Sequence, residues 1–346
     1  MKIVILNKMN DKLKKALDNI NAKHGKGNVL LGNDTHGIDI ERISSGSIGI
    51  DYVTGGGYPE GRFVELYGKE SAGKTTICIH AMVEAQKKYP EKYVALIDVE
   101  HAFDMDYAEA LGLNKEKFII SQPGSAEQAL DILTQLVDSG QVSLAVVDSI
   151  AALVPQKELE GNIGDAQMGG IARMMGQACR IITPKASSTG TIVIWINQIR
   201  EKIGVMFGNP ETTTGGNAMK FFASIRLEIS KKAGTDKNEK GEPINNIVKV
   251  KSAKNKTTTP NKVCEFDILY GEGIDKVSEI LVHGVETGII NKSGSWYNYG
   301  DTKLGQGGQG VKAILRDNPE LTEELENKIK DKMKKNESKN KDKDSE

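Results

Sequence analysis

The sequence predicts an α/β fold: a mostly parallel central sheet, a short helical segment before it and a small α+β domain after it. Three observations carry this. From Ser45 onward, near-continuous apolar runs alternate with helical segments over roughly 150 residues, the pattern of strands covered on both faces by crossover helices. One strand–turn–helix junction holds a glycine-rich run ending in Lys-Thr. Past residue 220, strand patterns follow one another with no helix between them, so the sheet should continue antiparallel.

In chain order, residues 11–22, DKLKKALDNINA, place Leu13, Ala16, Leu17 and Ile20 on one helical face. So narrow a stripe suits docking on the chain's own core and docking on a neighbouring subunit equally well. The connector GKGNVLLGND follows. RFVELYG (62–68), YVALIDV (93–99), FIIS (118–121), LAVVDS (144–149) and TIVIWIN (191–197) read as buried strands. Among the intervening helices the best marked begins at Ser125, where SAEQ forms a capping box before ALDILTQLV. FFASIRLEIS (221–230), NIVKVKS (246–252) and KVCEFDILY (262–270) read as the antiparallel extension. From about residue 275 the chain turns to short helices, WYNYG and the flexible KLGQGGQG, an α+β appendage. DKMKKNESKNKDKDSE, at the end, holds no large apolar residue after Met333 and is expected to be disordered. The expected domains are 1–40 (helix and linker), 41–274 (core), 275–330 (C-terminal domain) and 331–346 (tail).

The 346 residues are 38% hydrophobic, enough for a sizeable core. With 46 Lys and Arg against 47 Asp and Glu the net charge is −1, so any nucleic-acid binding must use a local basic face. Cys78, Cys179 and Cys264 are far apart and without metal spacing, as expected of buried free thiols in a reducing compartment. No run approaches the ~20 apolar residues of a membrane span, and Ile3–Leu6 is far shorter than a secretory signal core, so the chain reads as cytosolic.

"GKESAGKT", 68–75, matches G-x-x-x-x-G-K-[ST] between a strand and a helix, the context a phosphate-binding loop requires. Gly68 and Gly73 let the backbone wrap a phosphate, with the N–H groups from Glu70, Ser71 and Ala72 to Thr76 turned inward at a helix N-terminus. Lys74 can reach β and γ oxygens, and the Thr75 hydroxyl can ligate Mg²⁺. Two carboxylates end neighbouring strands at the crevice of a parallel sheet. Asp148, closing LAVVDS, is placed to hold the Mg²⁺ shell; Glu100, closing YVALIDVE, is a candidate general base for the attacking water. Asn197 and Gln198 end the next strand, where an amide can sense the γ-phosphate. The unusual stretch that follows, VMFGNPETTTGGNA (205–218), fits a switch loop. Its threonines and glycines, with Arg200 and Lys202, suit a sugar-phosphate backbone, and Ile203, Val205, Met206 and Phe207 suit stacking or wedging between bases. An ordinary surface loop fits the composition equally. LEGNIGDAQMGGIARMM (159–175), with Met168 and Arg173, is a second such segment.

Long strings then carry a resemblance: SSGSIGIDYVTGGGYPEGR (44–62), GKESAGKTT, LIDVEHAFD (96–104), VVDSIAALVP (146–155), EGNIGDAQMGGIARMM (160–175), INQIREKIGVMFGNPETTTGGNA (196–218), KNK (254–256) and LYGEGI (269–274). From about residue 11 to 330 the chain closely resembles the bacterial RecA recombinase family. The resemblance implies a RecA-type P-loop ATPase core and a helical filament of many copies on single-stranded DNA, with ATP and Mg²⁺ between adjacent subunits. It further implies pairing with a homologous duplex, strand exchange in recombinational repair, and promotion of self-cleavage by a LexA-like repressor. By the same resemblance Glu100 activates water, Gln198 couples nucleotide state to DNA, and Asp104 and Tyr107 contact the adenine. Lys254 and Lys256 reach the neighbour's phosphates. Met168, Gly169, Arg173, Arg200, Gly215, Gly216 and Asn217 contact DNA, Ile203 wedges between base triplets, and the N-terminal helix lies on the adjacent protomer. Phe207 is assigned to loop signalling or packing. The sequence departs from the family in carrying Lys69 where proline is usual, Ala72 where serine is common, two extra residues before KNK and a nearly neutral tail. A ring helicase on the same fold would need an N-terminal collar longer than the residues before the core.

Overall fold

The computed structural model describes residues 11–24, 29, 40–162, 169–201, 211–234, 240–241 and 243–343. The chain divides into two compact units, one ending at Glu41 and the other running from Arg42. In the first, α1 (Asp11–His24) is the helix expected from the Leu13–Leu17–Ile20 stripe, and Leu13 and Ile20 are exposed.

The second unit opens with β1 (Arg42–Ile43), α2 (Ile48–Thr54) and β2 (Tyr58–Pro59), with Ser47 capping α2 through Ile50 N. Then β3 (Phe63–Gly68), α3 (Lys74–Lys88), β4 (Tyr93–Asp98), α4 (Met105–Ala110), β5 (Phe118–Ser121), α5 (Ala126–Asp138) and β6 (Val142–Asp148) alternate as the apolar runs predict. The Ser125 cap is present, accepting from Gln128 N at 3.3 Å; the Gln128 side chain reaches Gly124 N rather than Ser125 N. After the short α6 (Gln156–Leu159) come α7 (Gly170–Thr189), β7 (Ile192–Glu201), β8 (Glu211–Thr213), α8 (Ala218–Phe222), β9 (Ile225–Ala233), β10 (Asn245–Asn255), β11 (Val263–Leu269) and β12 (Gly273–Ile274). Phe221 and Phe222, expected to open a strand, instead close α8.

The main sheet has the order β12-β11-β10-β9-β3-β7-β6-β4-β5, parallel from β9 through β5 and antiparallel from β9 to β12. Its strands are apolar on both sides because both sides are covered. Val64, Leu66, Val146 and Ile194 pack under α3, while Phe63, Ala145, Val193 and Trp195 pack under α5 and α7. P-loop, Glu100, Asp148 and Gln198 thus gather at the carboxyl ends of adjacent parallel strands.

The C-terminal domain comprises α9 (Lys276–Glu286), the antiparallel sheet β13 (Ile290–Ser293), β14 (Trp296–Tyr299) and β15 (Thr302–Gln306), then α10 (Gly308–Asp317) and α11 (Pro319–Lys343). Ile280, Leu304, Val311, Leu325 and Ile329 form its core, which Ile48 of α2 joins. The glycine-rich KLGQGGQG is not a flexible connector: it closes β15 and opens α10. Residues 331–343, expected as disordered tail, continue α11. The stretch is rich in lysine, a good helix former, and free of Gly and Pro, and Met333 still packs on the domain core. Cys78, Cys179 and Cys264 are buried free thiols. Among the described residues no helix is long and apolar enough to cross a membrane.

Candidate nucleotide-hydrolysis site

β3 runs through the sheet centre and ends at Gly68, from which the loop turns into α3. The demand for glycine at 68 comes from the neighbouring strand: a Cβ there would stand 2.0 Å from Ile229 O on β9. Ser71 (φ 53°) and Gly73 (φ 90°) place left-handed turns inside the loop, and Gly73 caps α3. Alternation of this kind turns successive N–H groups toward one point, and the helix end adds its partial positive charge. The Lys74 ammonium is buried and donates to the carbonyls of Lys69 (2.7 Å) and Gly68 (3.2 Å). Burial lowers its proton affinity, opposed by the nearby Asp148 and Glu100 carboxylates.

Thr75 Oγ1 donates to Asp148 Oδ2 at 2.8 Å. Burial pushes the Asp148 carboxyl up to about 6, the Thr75 hydrogen bond opposing and the Glu100 and Asp98 charges assisting. A carboxylate so placed is short of positive charge. Glu100 Oε1 accepts from both Ser149 Oγ and Gln198 Nε2 (3.2 Å), which leaves Oε2 free of these two donors. Asp98, buried beside Asp148, accepts from Gln122 Nε2 (2.9 Å) and from Ala102 and Phe103 N–H, fixing the turn that carries Glu100.

A cavity of about 700 Å³ opens here, lined by Glu70–Thr76, Glu100, Tyr107, Asp148 and Gln198. Asp104 does not line it; exposed, it caps α4 by accepting from Tyr107 N at 2.9 Å and so orients the turn bearing Tyr107. Tyr107 OH lies 3.5 Å from Thr76 Oγ1. The opposite wall comes from β10, β11 and the turn after β11: Asn246, Val248, Ile268, Leu269, Tyr270 and Gly271. Tyr270 OH donates to Asn246 Oδ1 at 3.1 Å. Sequence reasoning did not assign these residues to the site, although LYGEGI was the signal that held Tyr270.

Lys254 and Lys256 are not in this cavity. Lys254 Nζ donates to Lys220 O and to Phe221 O (3.3 Å), and Lys256 Nζ to Phe221 O (3.1 Å), at the end of α8. Lys254 pairs with Arg226 near the start of β9, and β9 lies parallel to β3. Both lysines therefore sit toward the sheet end away from their own P-loop, Lys254 separated from it by about 10 Å of strand and Lys256, level with Ser224, by about 17 Å. The β10 register shifts between Ser252 and Lys254, a bulge that takes up extra length before KNK.

Of the residues expected at DNA, Met168 and Ile203 lie outside the described residues, as do Met206 and Phe207. Gly169, Arg173, Gly215, Gly216 and Asn217 lie at one place, the start of α7 and the turn packed on it, while Arg200 lies in β7. Gly169 caps α7 and Arg173 is exposed on its first turn. Gly215 and Gly216 pack against that turn so closely that a Cβ at Gly216 would stand 2.8 Å from Ala172 Cβ. Asn217 opens α8, and Arg200 pairs with Thr212 two residues beyond Gln198.

With this geometry the comparisons agree. Residues 11–275 match the family described as the RecA N-terminal domain and residues 278–334 that of the RecA C-terminal domain. The chain is 52% identical over 326 residues to Protein RecA of Cytophaga hutchinsonii, covering 93% of this chain and 91% of the relative. It is 52% identical over 317 residues to Protein RecA of Rhodospirillum rubrum, covering 91% and 86%. Against Protein RecA of Porphyromonas gingivalis the identity is 51% over 317 residues, covering 91% and 92%. A phosphate loop, two strand-end carboxylates and an amide between them and a glycine-packed turn, in a chain matched along nearly its whole length, place it: the chain belongs to the RecA family and is a DNA-dependent ATPase of recombination.

Proposed function

We propose that the protein assembles with ATP into a helical filament on single-stranded DNA and drives pairing and strand exchange with a homologous duplex in the cytoplasm. One observation carries this: Gln198 touches Glu100 inside the cavity and stands two residues from Arg200, where the DNA-facing segment begins. The triphosphate lies along Glu70–Thr76, with Lys74 released from its loop carbonyls onto phosphate oxygens. Tyr107 and Tyr270 offer aromatic faces to the adenine from opposite walls.

Thr75 and Asp148 fit Mg²⁺: a hydroxyl and an electron-rich buried carboxylate, adjacent and facing the cavity. No group of three or more His, Cys, Asp or Glu able to cage a metal occurs among the described residues. The ion's other ligands are then phosphate oxygens and water, the habit of Mg²⁺ at nucleotides. Bound, it neutralises charge on the β and γ oxygens. Glu100, with Oε1 held by Ser149 and Gln198, presents Oε2 to take a proton from the attacking water. Lys254 and Lys256 serve the neighbour's triphosphate, which makes assembly depend on nucleotide. The exposed stripe of α1 docks on the adjacent protomer. Met168, Gly169, Arg173, Arg200, Ile203, Gly215, Gly216 and Asn217 line the DNA path. The filament also presents a surface to a LexA-like repressor.

The test pairs ATPase assays with electron microscopy. Wild-type hydrolysis rises on single-stranded DNA and filaments form with ATP. Glu100→Gln keeps the filaments and loses turnover by about 10²–10⁴-fold. Absence of polymer with DNA and a non-hydrolysable ATP analogue overturns the reading.

A further inference from the structure

We infer that Glu65, which touches neither the cavity nor the DNA-facing turn, is the positioning residue through which the two move together. The inference rests on Gln198 reporting nucleotide state, as proposed above.

Glu65 lies mid-strand in β3 with no exposed surface. A carboxylate there, within an apolar sheet face beside Trp195 and Phe63, has a high desolvation cost and persists only with firm partners. It has two. Arg226, in register on β9, presents Nε to Glu65 Oε2, and its guanidinium lies 4.6 Å from the Tyr67 ring centroid. Asn197, on β7, donates Nδ2 to Glu65 Oε1 at 2.9 Å.

Asn197 is the junction. The same Nδ2 donates to Thr214 O at 3.0 Å, and Oδ1 accepts from Gln198 N at 2.9 Å. Both amide hydrogens and the carbonyl oxygen are thus engaged. One contact holds the sensor's backbone, one holds the exit of the segment before Gly215, and the third is pinned to Glu65 at the sheet centre. A displacement of Gln198 toward a γ-phosphate turns the Asn197 amide about its Glu65 anchor and carries Thr214 with it. The next residue, Gly215, is packed so that a Cβ would meet Ile150 Cγ2 at 3.0 Å, one residue from the Ser149 that donates to Glu100. The connection therefore returns to the catalytic carboxylate.

Glu65→Gln preserves shape and leaves the nucleotide contacts untouched. A glutamine offers one acceptor to two donors and turns its own N–H₂ against the other, so the anchor slips. The experiment measures ATP hydrolysis with and without oligothymidylate, together with thermal midpoint. Unstimulated kcat and KM for ATP should stay at wild-type values, while the gain on DNA falls about tenfold. Asn197→Ala should lose the gain comparably, and the double variant no further than either single, since both cut one connection. Full stimulation in Glu65→Gln, proportional loss with and without DNA, or multiplicative loss in the double variant overturns the inference. Should Glu65→Gln fail to fold, Asn197→Ala, which keeps the Glu65–Arg226 pair, decides alone: a full gain on DNA overturns it. A wild-type protein without DNA stimulation would instead sink the functional reading on which it rests.

Discussion

Gly68 shows how one residue answers to two demands. Its place in a phosphate-loop motif suggests backbone freedom around a ligand, yet its tightest constraint is Ile229 O on the adjoining strand. Gly68→Ala should therefore act on the sheet before it acts on nucleotide. We expect loss of about 1–3 kcal/mol of stability from overpacking between β3 and β9, read by denaturant unfolding in the absence of nucleotide. Unchanged stability with impaired ATP binding would show that the ligand alone sets the requirement. The residues proposed for the nucleotide and metal site were the most legible part of the sequence: Lys74, Thr75, Glu100 and Asp148 each occupy a strand end or loop whose local pattern announces it. Asn246 and Tyr270 were not legible, because they reach the cavity through pairings of β10 and β11 that no local spacing encodes.

At the scale of elements, α2 and α9 are joined by a buried acid. Glu279 on α9 accepts from Ser47 Oγ (2.6 Å), Gly49 N (2.9 Å) and Ile48 N (3.2 Å), closing the first turn of α2. Burial pushes its carboxyl up to about 7 despite these hydrogen bonds. Between the ordinary glutamate value and pH 7 the folded protein thus holds a proton the unfolded chain has released, so this group's contribution to stability falls as pH rises through that window. Glu279→Gln should flatten the dependence: thermal midpoints across a pH series should fall less between pH 5 and 8 than the wild type's, with residual slope from Asp148 and Asp51, whose carboxyls burial also raises. An unaltered slope would remove Glu279 from this role. The helices and strands themselves were largely written in periodicity. The exceptions are instructive: Phe221 and Phe222 look like strand residues but finish α8, and 331–343 look too polar to fold yet propagate a helix nucleated on Leu325 and Ile329.

For the whole molecule, Lys254 and Lys256, proposed above to serve a neighbour's triphosphate, lie toward the sheet end remote from Gly68 in their own chain. Mixing tests this. Lys74→Ala protein keeps the lysines and loses the loop; a Lys254→Ala/Lys256→Ala protein does the reverse. Each alone should be inactive, while an equimolar mixture should recover about a quarter of the DNA-stimulated ATPase, the share of junctions that join intact halves in a head-to-tail assembly. No recovery would mean the lysines act within their own chain.

That separation gives any row of copies two unlike termini. In the proposed filament one end carries the Lys254 and Lys256 ammonium groups with no triphosphate before them, the other a cradle with no partner lysines, so a row contains one fewer finished reaction centre than it has members. Growth and shrinkage at the two tips need not share a rate, and a strand coated by such a row inherits a direction from the protein as well as from its own chemistry.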